Sequence, residues 1–358
     1  MIIKHILVLK ETRKDESRVA LTPKVVSSLV SKHYKIRVES RAGVNAGFTD
    51  SAYVKAGAEI FTFTSEKFPP NTLILRVKRA HQERERLENN LFQENVFVMG
   101  FLSPFEEGEH VDLWQAAGIM AFSLDLFKKL SIEDPKNMQA AMSRVAGRLA
   151  FHDARKRYKG QSPVKLTILG AGPAAFSAAF EARKYDVPVQ VFGRQEGYRA
   201  ELESAGIIYY VLPAYDQAKF IRSYLSEEAI VITAARTPGQ KAPVLIDEDT
   251  LRLLPKGAVV VDLVVSQGGN VLGSKRDQVI IKNGVSIVNN SAYPKAEPRE
   301  ASEAYANCLG NLLVEVLSPR GDLHLDHELL KESWVTRNGE RNSSLFEGFK
   351  KSDSKLKE

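Results

Sequence analysis

The sequence predicts an α/β protein made of two Rossmann-like, doubly wound domains separated by a cleft. Three observations lead there. The 358 residues allow two domains at about 150 residues each, and 44% of them are apolar, enough for two cores. Short apolar runs alternate with helical patterns from the N-terminus onward, as in a parallel sheet. Residues 164–180 (VKLTILGAGPAAFSAAF) pass from an apolar strand through a glycine turn into an Ala-rich helix, the order of a dinucleotide-binding unit.

Taken in order, residues 3–9 read as a first strand, and the polar stretch KETRKDESRVALTP (10–23) ends in a helix start. Thr22 suits the N-cap and Pro23 the first helical position, so 24–32 is expected to be helical. A strand at 34–39, a flexible loop at 42–47, a helix at 50–57 and a short strand at 58–61 follow. Next come a buried strand at 72–77, a charged helix at 83–89, and strands at 95–99 and 118–122. A long helix at 137–158 leads to the glycine turn. Further strands are expected at 187–192, 207–211, 229–233, 258–262 and 285–288, and then a helix at 302–317 with no new strand. This gives a first domain of 1–133 completed by 302–345, a dinucleotide-binding domain of 134–301, and a disordered polar tail from 346 to 358.

In the turn each small residue has a physical reason. Gly170 permits the sharp bend, Gly172 lets the backbone approach a pyrophosphate, and Ala175 lets the helix pack closely on its strand. Pro173 and Ala174 open the helix, whose free N–H groups and positive dipole end would face the phosphates. In NAD-binding versions an acid at the end of the second strand holds the ribose hydroxyls. Here Gly193 takes that place and Arg194 follows, which favours accommodation of a 2′-phosphate, so the cofactor expectation covers NAD(H) and NADP(H). Thr237, Pro238 and Gly239 follow a nucleotide-domain strand and are expected on the adenosine or ribose side. Gln267, in QGGN, permits close backbone approach.

Lys and Arg outnumber Asp and Glu by 50 to 44, but the basic surplus is interleaved with acids, so nucleic-acid binding is not implied. The single cysteine, Cys308, excludes an internal disulfide and reads as a small buried residue. No apolar run nears the roughly 18 residues of a membrane helix, and the first strand is too short for a secretory signal. A soluble cytoplasmic protein is expected. His324 and His327 lack further ligands, so no metal site is expected.

The motifs KET (10–12) with SRVALTP (17–23), LRVK (75–78), MSRVAGRLA (142–150), GAG (170–172), TPGQKAP (237–243), VDL (261–263) and QGGN (267–270) together resemble a family. It contains alanine dehydrogenase and the NAD(H)-binding first domain of proton-translocating nicotinamide nucleotide transhydrogenase. The resemblance implies a dimeric oxidoreductase. Its alanine dehydrogenases use an arginine for the substrate carboxylate and a lysine for the keto oxygen, which Arg18 and Lys78 match. Their proton-handling histidine and aspartate fall here on Ser103 and Ser266. Losing each such group costs on the order of 100- to 10,000-fold. His81 is the histidine placed to replace them.

The transhydrogenase domain needs only to hold two nicotinamides in register. SEAYANCLGNLL (302–313) and WVTRNGE (334–340) resemble its C-terminal helix and final strand-like segment. Its nicotinamide-side arginine, glutamine and aspartate correspond to Lys129, Asp134 and Asn137, with Pro135 beside them, and 213–228 is short for its mobile loop. The first expectation is therefore a transhydrogenase α-subunit type protein, working with NADP(H)-binding and membrane subunits and peripheral to the inner membrane through them. A stand-alone amino-acid or imino-acid dehydrogenase and a catalytically inactive nucleotide-binding protein are the alternatives.

Overall fold

The computed structural model describes residues 1–106, 109–127, 129–160, 163–225, 228–236 and 241–347. The described residues divide into two compact units, one formed by Met1–Met142 with 295–347 and the other by Ser143–Pro294.

Six strands of the first unit are parallel: β1 (His5–Val8), β2 (Ile36–Glu39), β3 (Glu59–Phe61), β4 (Thr72–Lys78), β5 (Val96–Phe101) and β6 (Met120–Ser123). They lie side by side in the order β3-β2-β1-β4-β5-β6. Except in β3 at the edge, their apolar runs are buried, as expected of strands covered on both faces; in β4 only Lys78 is not fully buried. The second unit carries β7 (Leu166–Leu169), β8 (Val189–Gly193), β9 (Ile208–Val211), β10 (Ile230–Thr233), β11 (Val259–Asp262), β12 (Val279–Lys282) and β13 (Val285–Val288). Its order is β9-β8-β7-β10-β11-β13, with β12 antiparallel at the edge. Both units thus show the doubly wound order, reversing beside their first strand.

Helices follow local signals. Val25, Val26 and Leu29 form the buried stripe of Pro23–Val30, with Pro at its start. Thr22 does occupy the N-cap, but its hydroxyl makes no capping bond; in the helix Asp50–Lys55, by contrast, the Thr49 side chain accepts from the Ala52 amide. The segment expected as a flexible loop at 42–47 contains a short 3-10 turn, Val44–Ala46. The helix His110–Ala116, in a stretch with no assigned element, buries Val111 and Trp114 one turn apart.

The residue pattern alone gives no strand after residue 300, but two are present, where the resemblance implies a final strand-like segment at 334–340. The helix Pro298–Val316 is followed by Glu328–Ser333 and by two short strands, β14 (Trp334–Arg337) and β15 (Glu340–Arg341). β14 adds antiparallel to β6 from more than 200 residues away, and its Thr336 hydroxyl donates to the Ile119 carbonyl at 2.8 Å. Four residues in so distant a pairing carry no local signal. Residues 343–347 are still helical and Phe346 packs edge-on against Phe105, so the chain is ordered past the start of the expected tail. The rest of the tail lies outside the described residues.

Candidate functional site

In the second unit the glycine turn follows β7, the strand at which the order reverses. Gly170 has φ +119°, and a Cβ there would stand 2.8 Å from the Ala234 carbonyl carbon, so both conformation and space demand glycine. Gly172 differs. Its extended backbone (φ −122°, ψ −174°) suits any residue, and a Cβ would meet nothing within 4 Å. The fold therefore leaves open space above Gly172 that a pyrophosphate could fill. Pro173 starts the helix Pro173–Arg183, whose first amides lack helical partners. Ala175, Ala178, Ala179 and Ala182 are fully buried against the sheet. Ala174 sits in close packing too: a Cβ on Gly147 would fall 2.0 Å from its carbonyl oxygen.

At the end of β8 the missing acid has a steric cause. A Cβ on Gly193 would lie 2.2 Å from the Tyr209 hydroxyl and 2.6 Å from Ala171 Cβ. The Tyr209 ring is buried and its hydroxyl donates to the Gln195 carbonyl at 2.8 Å. Arg194 is exposed beside it. Below the crevice, Asp262 is fully buried and accepts from the amides of Val264, Asn270 and Val271 at 3.0, 3.0 and 3.2 Å. Asn270 in turn accepts from the Ala235 amide at 3.0 Å and donates to the Ala235 and Pro243 carbonyls at 3.0 and 2.7 Å. The loops after β10 and β11 are thereby tied together. Gln267 closes the 3-10 turn there, and its carbonyl accepts from the Ala242 amide at 2.7 Å. Thr237, Pro238 and Gly239 lie outside the described residues.

In the first unit the sequence-matched pair stands at the carboxyl ends of β1 and β4. Arg18 is buried rather than solvated. Its Nε and Nη2 donate to the two Glu16 oxygens at 2.7 and 2.6 Å, and Nη1 faces the Met142 sulfur at 3.2 Å. Burial works against ionising Glu16, but Arg18 still holds its carboxyl below the usual range. Lys78 ends β4 with its ammonium 5.4 Å from the Phe101 ring, which packs edge-on against Tyr305. Burial, followed by repulsion from Arg18, lowers the Lys78 pKa.

Beneath Lys78 lies Glu11, which accepts from the amides of Val77 and Lys78 at 2.7 and 3.2 Å. Burial pushes its pKa up to about 7 against the pull of Arg76. Neither Glu11 nor the Glu16 clamp on Arg18 was singled out from sequence. The signal available was only a carboxylate two residues from an arginine.

The three residues matched to the nicotinamide-side loop are placed differently from one another. Lys129 is exposed. Asp134 accepts from the Lys136 amide at 2.8 Å. Asn137 works as a helix cap: its Oδ1 accepts from the Ala140 amide at 2.9 Å and its Nδ2 donates to the Ser131 carbonyl at 2.9 Å. Two of the three side chains are thus engaged by their own loop and helix start. His81 is exposed on the rim of two pockets, and its amide is bound to the Thr12 hydroxyl.

Residues 7–146 match the family described as alanine dehydrogenase/PNT, N-terminal domain, and 154–343 its C-terminal domain. The chain belongs to the alanine dehydrogenase/PNT family. Its relatives include an NAD(P) transhydrogenase subunit alpha protein of Rickettsia prowazekii, 27% identical over 364 residues, covering 93% of this chain and 95% of that protein. Alanine dehydrogenase 1 of Staphylococcus aureus is 26% identical over 332 residues, covering 87% of each. The solved transhydrogenase from Sinorhizobium meliloti superposes with a TM-score of 0.83 at 26% identity, over 94% of this chain and 99% of that one. A solved L-alanine dehydrogenase shares the fold with a TM-score of 0.80 at 24% identity, over 97% of this chain and 99% of that one. Members of the alanine dehydrogenase/PNT family are oxidoreductases that bind nicotinamide nucleotides. No helix among the described residues is long and apolar enough to cross a membrane.

Proposed function

We propose that this chain holds a nicotinamide dinucleotide on the glycine turn of its second unit and passes hydride between NAD(H) and NADP(H) with a partner subunit. The observation that carries the reading is the open space at Gly172, at the start of a helix and at the strand where the sheet order reverses. The bound nicotinamide supplies or accepts the hydride. The chain's own role is to receive the phosphates on backbone amides and to hold the reacting ring in register. Gly170, Gly172, Pro173, Ala174 and Ala175 would form the phosphate cradle. Gly193 and Arg194 would line the adenosine and ribose side, and Gln267 would let backbone approach the nucleotide.

Two features of the first unit favour this reading over oxidation of alanine. The forked edge of Arg18 is occupied by Glu16, so it is not free to clamp a substrate carboxylate side-on. Ser103 and Ser266 stand where the proton carriers would be. The chain would act as a dimer beside membrane-embedded and NADP(H)-binding subunits, which would place it at the membrane surface. Reconstitution with an NADP(H)-binding transhydrogenase subunit tests this: NADH-driven reduction of NADP+ is expected, and its absence, with both proteins folded and nucleotide bound, would refute it. One observation favours a second reading, an amino-acid or imino-acid dehydrogenase: Lys78 opens onto a cationic pocket with His81 on its rim. NADH oxidation driven by ammonia and a 2-oxo acid would establish it.

A further inference from the structure

The glycine turn after β7 has a strand on each side, β8 and β10, and the chain places one arginine beyond the end of each. Arg194 directly follows β8. Arg236 stands three residues beyond β10, at the same carboxyl end of the parallel sheet. Both belong to the second unit. The turn itself brings no charge: residues 170–176 are GAGPAAF, so a pyrophosphate seated there meets only amides and the positive end of the helix dipole. Phosphate oxygens gain more from an ionised donor than from neutral ones.

The backbone that leads to Arg236 is fixed. The Ala234 amide donates to the Leu169 carbonyl at 2.7 Å, which extends the β7–β10 ladder past the strand end. The Ala235 amide donates to Asn270 Oδ1 and its carbonyl accepts from Asn270 Nδ2, both at 3.0 Å, and Asn270 is fully buried. A Cβ on Gly170 would stand 2.8 Å from the Ala234 carbonyl carbon, so this loop packs directly on the glycine turn. Arg236 lies two residues on from Ala234, as Gly172 lies two on from Gly170, and a Cβ on Gly172 would meet nothing within 4 Å. A guanidinium on a held backbone thus stands at the edge of the open space.

Arg236 has no competing partner. Among the described residues no carboxylate lies within ion-pair distance of it, and although the side chain reaches solvent, desolvation by nearby protein lowers its pKa with no acid opposing the effect. The acid that ends β11, Asp262, is buried and taken up by the amides of Val264, Asn270 and Val271. Lys241 is directed elsewhere: its side chain lies along Gly268 in the loop after β11, where a Cβ would stand 2.7 Å from Lys241 Cγ. The ends of β8 and β10, two strands apart, are separated by roughly 10 Å, so the two arginines meet different parts of one ligand.

We propose that Arg236 is a pyrophosphate-binding residue of the nucleotide site, setting its planar fork against the phosphate oxygens from the β10 side while the amides of the glycine turn hold them from below. Arg194, across the turn, is then left to the ribose edge. The inference rests on the nucleotide reading above and adds a charged side chain to a cradle otherwise made of backbone.

Calorimetric titration of the full chain with NADH and with ADP-ribose, which keeps the pyrophosphate and lacks the nicotinamide, provides the test. Arg236→Leu is expected to weaken both ligands by the same factor, at least about tenfold, and to leave the thermal midpoint of the free protein unchanged. The salt dependence of binding should flatten as well, because a screened charge has been removed. Arg236→Lys, which keeps the charge and loses the fork, should recover part of the affinity. Unchanged binding of both ligands, weakening of NADH alone, or an unchanged salt dependence would each overturn the proposal. A wild-type chain that binds neither ligand removes the nucleotide reading and the proposal with it, whereas a wild-type chain that binds both, matched by Arg236→Leu, removes the proposal alone.

Discussion

The two units share a strand order but build the ends of their sheets in opposite ways. In the second unit the end of the sheet after β7 is shaped by the lack of side chains: Gly170 and Gly193 leave no room for one, Ala175 packs its helix on the sheet, and Gly172 leaves open space. In the first unit the same end of the sheet is crowded with charge, with Glu11, Glu16, Arg18 and Lys78 all within its loops. One scaffold therefore offers a backbone cradle in one copy and an electrostatic site in the other. The comparison teaches that position in this fold marks where a ligand goes, and side-chain content decides what kind.

The first unit's arrangement is expected to be the more fragile. Arg18→Leu leaves Glu16 buried and unpaired, which should cost about 3–5 kcal/mol in chemical denaturation, and Glu16→Gln in the same chain should restore much of it. A loss below about 1 kcal/mol, the level of a surface pair, would show that the clamp is not what holds this loop. Gly172→Val should do the reverse. The fold has room for the side chain, so the thermal midpoint should hold while affinity for NADH falls about 100-fold, or roughly 2.7 kcal/mol. Unchanged affinity would move the phosphates away from this turn.

Gly193→Ala separates packing from binding within the second unit. Its methyl would collide with Tyr209, an overpacking of about 1–3 kcal/mol, and Tyr209→Phe should relieve some of it by removing the hydroxyl. Strict additivity of the two changes would mean that they do not meet. Glu11→Gln is expected to act on the pH dependence of stability. Because the Glu11 pKa is raised in the folded protein from 4.5 to about 7, the native state holds its proton more tightly than the unfolded chain does. Its contribution to stability is complete below about pH 4.5 and is lost as pH rises toward 7. The substitution should flatten the pH–stability curve in that window, and an unchanged slope would place the titration elsewhere.

Much of the fold was legible because its signals are local. The buried strands are apolar runs, the helix starts carry Thr-Pro or Thr-Asp, and the glycine turn sits between a strand and a helix. The last strands carry no signal of their own in the residue pattern and were reached only through the resemblance, since β14 pairs with β6 from across the chain. Within the candidate sites, Gly170 and Gly172 could be read from spacing alone. The reason Gly193 cannot be an acid could not, because it lies in a tyrosine from the neighbouring strand. The pairing of Glu16 with Arg18 was visible as proximity, yet burial, which turns a solvated pair into a fixed one, depends on packing with Met142 and the surrounding loops.

The central claim is that the second unit's crevice takes its nucleotide through backbone and has shut out the ribose-binding acid, leaving Arg194 at that edge. Direct titration of the protein with NADH and with NADPH tests it most simply. Removing the acid withdraws charge-assisted hydrogen bonds of about 1.5–3 kcal/mol each from NAD(H) and also removes repulsion against a 2′-phosphate. The two affinities are expected to lie within about 100-fold of one another, or to favour NADPH. NADH bound more than about 100-fold tighter, a gap of roughly 2.7 kcal/mol, would contradict it.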